Sequence, residues 1–343
     1  MKLFGHLHGK AVHTITLKSS ALELSFIEFG GRVTTLKTPD RNGKQADITL
    51  GYDTLDDYLK ESAFFGALIG RYGNRIANGR FSINGHVYQL PQNNNGNCLH
   101  GGHGYHNCLW QVDEQSLTDT SATLHYRSHD GEDGFPGNLD IKVTYSVTDT
   151  DWRIDYRATT DAETVVNLTQ HAYFNLAGAG HPSILDHELT LYADKFTPVN
   201  ASLIPTGELR PVAATPFDFR QPHRVGARID QNDEQLKFGR GYDHNWVLNN
   251  QGGALTLAGA ISEHSTGRVM QILTTEPGMQ FYAGNFMDGA MMGKDGKRYP
   301  WRSGFCLETQ HYPDSPNHPQ FPSTTLKPDD VYQSTTIYRF TTS

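Results

Sequence analysis

The sequence predicts an all-β fold, one large antiparallel β-sandwich with few short helices. Three observations predict it. Apolar residues recur at every second position over long stretches, which puts one strand face in a core and the other in water. Asn-Gly pairs and an Asp-Thr-Asp turn punctuate those stretches. Strand-like runs do not alternate with helical ones, so the rhythm of a doubly wound parallel sheet is missing. Composition agrees, because 34 Gly, 16 Tyr and 17 Phe among 343 residues suit strands and turns better than helices. No repeat or low-complexity linker divides the chain. All-β folds of this length occur in one piece, so residues 1–343 are expected to form a single domain.

Taken in order, strands are expected near 13–18 and 21–28, and Asn42-Gly43 marks a hairpin. Thr54-Leu55-Asp56-Asp57-Tyr58-Leu59 starts one short helix at a Thr cap. Phe81-Ser82-Ile83 and His86-Val87-Tyr88 flank Asn84-Gly85, the pair suited to a type I′ turn. A strand near 121–127 precedes the clearest alternation: Leu139, Ile141, Val143, Tyr145 and Val147. Asp149-Thr150-Asp151 turns the chain, and Trp152, Ile154, Tyr156 and Ala158 alternate on the return, so 139–159 reads as a hairpin. Further strands are expected near 187–193, 268–274, 279–283, 304–311 and 335–341.

The formal charge is −8 and no basic run stands out, which argues against nucleic acid or an anionic membrane as partner. Three Cys residues make no disulfide framework and suit a reducing compartment. Met1-Lys2-Leu3-Phe4-Gly5-His6 lacks the apolar stretch of a signal peptide. No apolar run approaches the ~20 residues a membrane helix needs. The cytoplasm is the expected location, and a monomer or homodimer the expected state.

Five segments carry chemistry-bearing residues. Cys98-Leu99-His100-Gly101-Gly102-His103-Gly104-Tyr105-His106-Asn107-Cys108 crowds Cys and His together, but one-residue gaps between Cys and His are poor spacing for zinc. The better reading is a Gly-rich loop that projects His100 into a cleft and leaves His103 and His106 at the surface, although spacing alone favours His100 as an ordinary loop histidine. In Asn167-Leu168-Thr169-Gln170-His171-Ala172-Tyr173-Phe174, polar and aromatic residues interleave at strand period; His171 is either a satisfied core residue or a catalyst. On a strand, Cys306, Glu308 and Gln310 point away from Phe305, Leu307 and Thr309, so Glu308 faces a cleft or solvent. In Gly70-Arg71-Tyr72-Gly73-Asn74-Arg75-Ile76, either arginine could grip hydroxyls or pair with acids. In Gly241-Tyr242-Asp243-His244-Asn245, Asp243 could accept hydroxyls or form an Asx turn. The signatures of zinc proteases, serine hydrolases and dinucleotide-binding folds are missing.

Together these segments, with Asp130-Gly131-Glu132-Asp133-Gly134-Phe135-Pro136-Gly137-Asn138 and Pro313-Asp314-Ser315-Pro316-Asn317-His318, resemble the aldose 1-epimerase (galactose mutarotase) family in order along the chain. The resemblance implies a β-sandwich with an open carbohydrate cleft. It implies interconversion of the α and β anomers of free aldoses such as galactose and glucose, without metal or other cofactor. It implies Glu308 as general base and His171 as general acid. Arg71, His100 and Asp243 match sugar-binding positions, and Asn74 and the Gln280-Phe281-Tyr282 stretch look like cleft neighbours. One departure is Gln170, where the family usually has Asn before the catalytic His.

The chemistry suits these residue types. A cyclic aldose opens when its C1 hydroxyl loses a proton and its ring oxygen gains one. A carboxylate near the hydroxyl and an imidazolium near the ring oxygen do both. The aldehyde rotates about C1–C2 and the same groups work in reverse. Three rivals stay open on sequence: a glycoside hydrolase using Asp243 and Glu308, a sugar-binding module without catalysis, and a relative acting on hexose phosphates. The last lacks a dedicated basic cluster.

Overall fold

The computed structural model describes residues 1–60, 63–250 and 252–343. Its centre is a nine-stranded antiparallel sheet. The strand order is Gln111–Val112, Ser121–Ser128, Leu139–Val147, Asp151–Thr160, Tyr332–Thr342, Arg268–Thr274, Thr256–Ser262, Glu188–Leu191 and His223–Arg224. Alternation does what the sequence asks of it. Leu139, Ile141, Val143, Tyr145 and Val147 are buried, and Trp152, Ile154, Tyr156 and Ala158 return beside them, with Val147 opposite Trp152. The Asn84-Gly85 hairpin joins Arg80–Ile83 to His86–Gln89, with φ of 51° and 78° at the turn, as a type I′ turn requires. The hairpin at Asn42-Gly43 has a longer loop, in which the Asp40 carboxylate accepts from the Asn42 and Lys44 amides.

A five-stranded sheet made of Lys2–Leu7, Lys10–Lys18, Glu23–Ile27, Val33–Pro39 and Gln45–Asp47 packs on the long one. Phe26 meets Tyr145 edge to face at 5.0 Å across that contact. The helix expected from Thr54 runs Leu55–Lys60, and Thr54 Oγ1 accepts from the Asp57 amide. The sequence reading passed over a second helix, Glu234–Gly239, whose start is capped by the Asp233 carboxylate. No helix among the described residues is long and apolar enough to cross a membrane.

The sheet that matters for the site has the order Arg210–Pro211, Lys195–Thr197, Asp243–Val247, Gly278–Tyr282 and Cys306–Gln310. Its register places Asp243 opposite Tyr282, Asn245 opposite Gln280, Gln280 opposite Glu308, and Tyr282 opposite Cys306. Residues directly opposite share a face, so Asp243, Asn245, Gln280, Tyr282, Cys306 and Glu308 look the same way. His244, Trp246, Phe281 and Leu307 face the core. Tyr338 of the long sheet donates to the Leu307 carbonyl at 2.8 Å and ties the two layers together.

Candidate active site

Loops carrying Phe64, Asn74, His100 and Phe286 meet over that polar face and border a cavity of about 470 Å³. Glu308 projects into it from the middle of its strand and is 2% exposed. One oxygen, Oε1, lies 3.7 Å from His171 Nε2. The other has no hydrogen-bond partner among the described residues. Burial and the nearby Asp243 charge raise the Glu308 carboxyl well above its ordinary range, against the pull of Arg75.

His171 ends the short strand Thr169–His171, paired with Ala67–Ile69, and its carbonyl accepts from the Gly66 amide. Its ring stacks on Tyr173 at 5.2 Å, and its Nδ1 lies 3.5 Å from Cys306 Sγ. Burial pushes this imidazole down to about 3, which favours its neutral form. That differs from the imidazolium expected from sequence, because the ring sits among protein atoms rather than in water. Gln170 points to the opposite face. Its amide donates to the Gly66 carbonyl and to Tyr145 Oη, both at 2.9 Å, so this departure from the family pattern braces the strand pair that carries His171.

His100 sits at φ 52° in the Gly-rich loop. The loop can close on the 70–71 backbone because residue 101 is glycine, since a Cβ there would lie 2.3 Å from the Gly70 carbonyl oxygen. His100 Nδ1 accepts from the Asn74 amide at 3.2 Å, and the His100 amide donates to the Asn74 carbonyl at 3.1 Å. Arg75, 8% exposed, lines the cavity, and its Nε donates to Asn94 Oδ1. Burial lowers its pKa, while the charges of Asp243 and Glu308 hold the proton on. Asp243 Oδ1 accepts from Gln280 Nε2 at 2.7 Å, and burial raises its carboxyl against the pull of Arg75.

The cavity therefore brings together Glu308, His171, His100, Asp243 and Asn74, with Gln280 holding Asp243 from the side. Three sequence readings need correction. Arg71 does not reach the cavity. Its guanidinium donates to the Pro136, Gly137 and His129 carbonyls and to the Ser128 and Thr164 hydroxyls, and the residue is 2% exposed. Phe281 lies on the core face, 5.6 Å from the Tyr242 ring, because its register neighbour Gln280 takes the cleft face. His106 is buried rather than superficial, packed edge-on against Phe64 at 4.8 Å, whereas His103 is exposed as expected. Of the two arginines left open by the sequence, Arg75 is the cavity cation; Tyr282 lines the cavity as expected, and the residues missed are Phe64, Tyr173 and Phe286, which complete its aromatic wall. Phe64, at φ 63°, touches the rings of both His100 and His171. Nothing in the sequence separates Arg75 from Arg71, four residues earlier in one motif.

His100, His171 and Glu308 also offer ligand atoms that all lie within 4.8 Å of one another, a donor set that could suit zinc or iron. Their surroundings point elsewhere. A metal-bound imidazole donates its other N–H to a carboxylate or carbonyl. His100 Nδ1 instead accepts a hydrogen bond from the Asn74 amide, so its Nε2 carries hydrogen and presents a donor to the cleft. The Cys98 to Cys108 segment contributes only His100 to any such group among the described residues.

Comparison with known proteins identifies the family. A family model described as aldose 1-epimerase matches residues 13–339. The chain is 42% identical to a galactose mutarotase from Rattus norvegicus, over 98% of this chain and 97% of that one. It is 36% identical to an aldose 1-epimerase from Escherichia coli, over 97% and 96% respectively. A crystal structure of an aldose epimerase homologue from C. elegans superposes with a TM-score of 0.89 at 31% identity, covering 97% of this chain and 99% of the other. The chain belongs to the aldose 1-epimerase family.

Proposed function

We propose that this protein interconverts the α and β anomers of free aldohexoses, galactose and glucose among them, with residues 1–343 acting as one catalytic domain. The observation that carries this reading is the Glu308–His171 pair, 3.7 Å apart and buried in a cavity rimmed by Arg75, His100 and Asp243. The pair shares one transferable proton. Burial favours the neutral state, with that proton on Glu308. A sugar C1 hydroxyl donating to the carboxylate, with the ring oxygen accepting from His171 Nε2, favours the charged state from which ring opening starts.

Opening carries the C1 hydroxyl proton to Glu308 and the Nε2 proton to the ring oxygen, while the C1–O5 bond breaks and C1 becomes an aldehyde. After half a turn about C1–C2 the steps run backwards on the other carbonyl face. Glu308 then regains its charge and His171 its proton. Arg75 and His100 Nε2–H donate to sugar oxygens, and Asp243, steadied by Gln280, accepts from sugar hydroxyls, so the ring carbons stay in place while C1 turns. Asn74 holds His100. The protein is read as a monomer or homodimer working in the cytoplasm.

Polarimetry on freshly dissolved α-galactose and α-glucose tests the reading, using wild type, Glu308→Gln and His171→Asn. Fast equilibration by wild type, reduced at least about 10²-fold in both folded variants, is expected. A wild type no faster than buffer, binding sugar without turning it over, would leave a binding module.

A further inference from the structure

Two histidines face the cavity, and what touches their Nδ1 atoms differs in kind. His100 Nδ1 meets the Asn74 amide at 3.2 Å. A backbone amide only donates, so this imidazole keeps its hydrogen on Nε2 and cannot take up a second proton without setting N–H against N–H. It is a fixed donor. His171 Nδ1 meets the Cys306 thiol at 3.5 Å. A thiol both donates and accepts, weakly in each direction.

That difference matters because only one of these rings has to change its protonation within a turnover. When His171 carries both protons, Nδ1–H donates to Sγ. After Nε2 hands its proton to the ring oxygen, the same Nδ1–H···S contact remains and the bare Nε2 waits to recover the proton. In the free protein, where the Glu308 oxygen faces Nε2, the thiol hydrogen can turn toward Nδ1 instead. The ring need not rotate in any of these states. We propose that Cys306 is a positioning residue for the proton transfer: its thiol holds the Nδ1 edge of His171 through every protonation state, as the amide on His100 could not.

The placement of Cys306 fits that role. It is fully buried and opposite Tyr282 in the register, on the same strand and face as Glu308. One strand thus supplies the base and the group that orients the acid. Burial keeps the thiol protonated by raising it well above its ordinary range, so it is not a nucleophile. Among the described residues, the other titratable groups around His171 include Glu308 at Nε2, Tyr173 stacked on the ring, His100 and His106 beside it, and Arg32, whose charge works against protonation. Each of these is unchanged by substitution at Cys306.

The inference rests on His171 being the general acid, and its test separates the two ideas. Cys306→Ala and Cys306→Ser are compared with wild type. The serine hydroxyl also donates and accepts, so it restores the function if hydrogen bonding is what counts. Expected for the alanine variant are a fall in kcat on the order of three- to ten-fold with KM little changed, from the loss of one modest hydrogen bond. Its alkaline limb in kcat moves down by about half to one pH unit, because the cation has lost its Nδ1 acceptor. Serine returns both toward wild type. In the free protein, 15N NMR of the His171 ring, assigned with His171→Asn, shows a Nδ1 resonance that shifts in alanine and recovers in serine whether or not any sugar is turned over. Unaltered resonances and pH limb in alanine, or a serine variant no better than alanine, overturn the proposal. Absence of catalysis in wild type with the resonance pattern intact overturns only the acid role of His171.

Discussion

Arg71 and Arg75 lie in one motif, yet replacing each with methionine should produce opposite kinds of damage. Arg71 makes five donations, between 2.7 and 3.4 Å, to three carbonyls and two hydroxyls. It also sits over the Phe135 ring at 5.5 Å. Methionine fills much of the volume and makes none of those bonds, leaving buried acceptors unpaired. Removing one side of a buried charged network costs about 3–5 kcal/mol. Unfolding entropy of about 2.1 cal/mol/K per residue gives roughly 0.7 kcal/mol/K for this chain, so Tm should fall by about 4–7 °C. The folded fraction, assayed by polarimetry well below that Tm, should keep its KM. Arg75→Met should do the reverse. It loses one protein hydrogen bond, to Asn94, and strands two carboxylates around the sugar. Truncating one partner of such a group costs about 2–5 kcal/mol, so kcat/KM should drop by about 10²–10³, with Tm within about 2 °C of wild type. An Arg71→Met protein that melts like wild type but fails to bind sugar would refute this assignment of the two guanidinium groups.

Asp243 raises the Glu308 carboxyl by like-charge repulsion, so Asp243→Asn should move the alkaline limb of kcat/KM to lower pH, besides raising KM; a limb that stays or rises would sink the coupling. His244, fully buried beneath Asp243, is pushed down to about 3 by burial. Its folded pKa lies below the unfolded 6.5 or so, so the stability it contributes is complete above that pH and is lost as pH falls toward 3. His244→Gln should therefore flatten the slope of unfolding free energy against pH between about 4 and 6 by about 1.4 kcal/mol per pH unit. Urea titrations at two pH values read that slope directly, and an equal slope in both proteins would contradict it.

Much of the long sheet was legible in the chain because each strand there has one dry face and one wet one. Leu139–Val147 and Asp151–Thr160 alternate for that reason. The sheet that carries the site hides its pattern. Asp243, His244, Asn245 and Trp246 are all buried, and the polar face looks into a cleft rather than bulk water. A run such as Asp-His-Asn therefore reads as easily as a turn, one of the two readings that Asp243 allows in sequence. Glu308 was legible because a lone acid interrupts an apolar strand at the right parity. The same parity argument, applied to Gln280, would have sent Phe281 to the core. The choice between Arg71 and Arg75 was not legible, since it depends on a loop, 128–137, that closes over Arg71 from a distant part of the chain. His106 was misread because the aromatic ring that covers it, Phe64, is more than forty residues earlier.

The register that sets Asp243, Gln280 and Glu308 on neighbouring strands acts as a ruler. Strand spacing of about 4.8 Å and rise of about 3.3 Å per residue fix their separations, and a slip of one residue would exchange the whole polar face for Trp246, Phe281 and Leu307. The ruler cannot drift by small steps. The rim, by contrast, is drawn from unconnected loops that carry Phe64, Asn95, Leu203 and Met291, each free to lengthen or change without moving the strands. A change in a rim loop can thereby alter what meets the mouth of the cleft while the spacing of Asp243, Gln280 and Glu308, set by the strands, is kept.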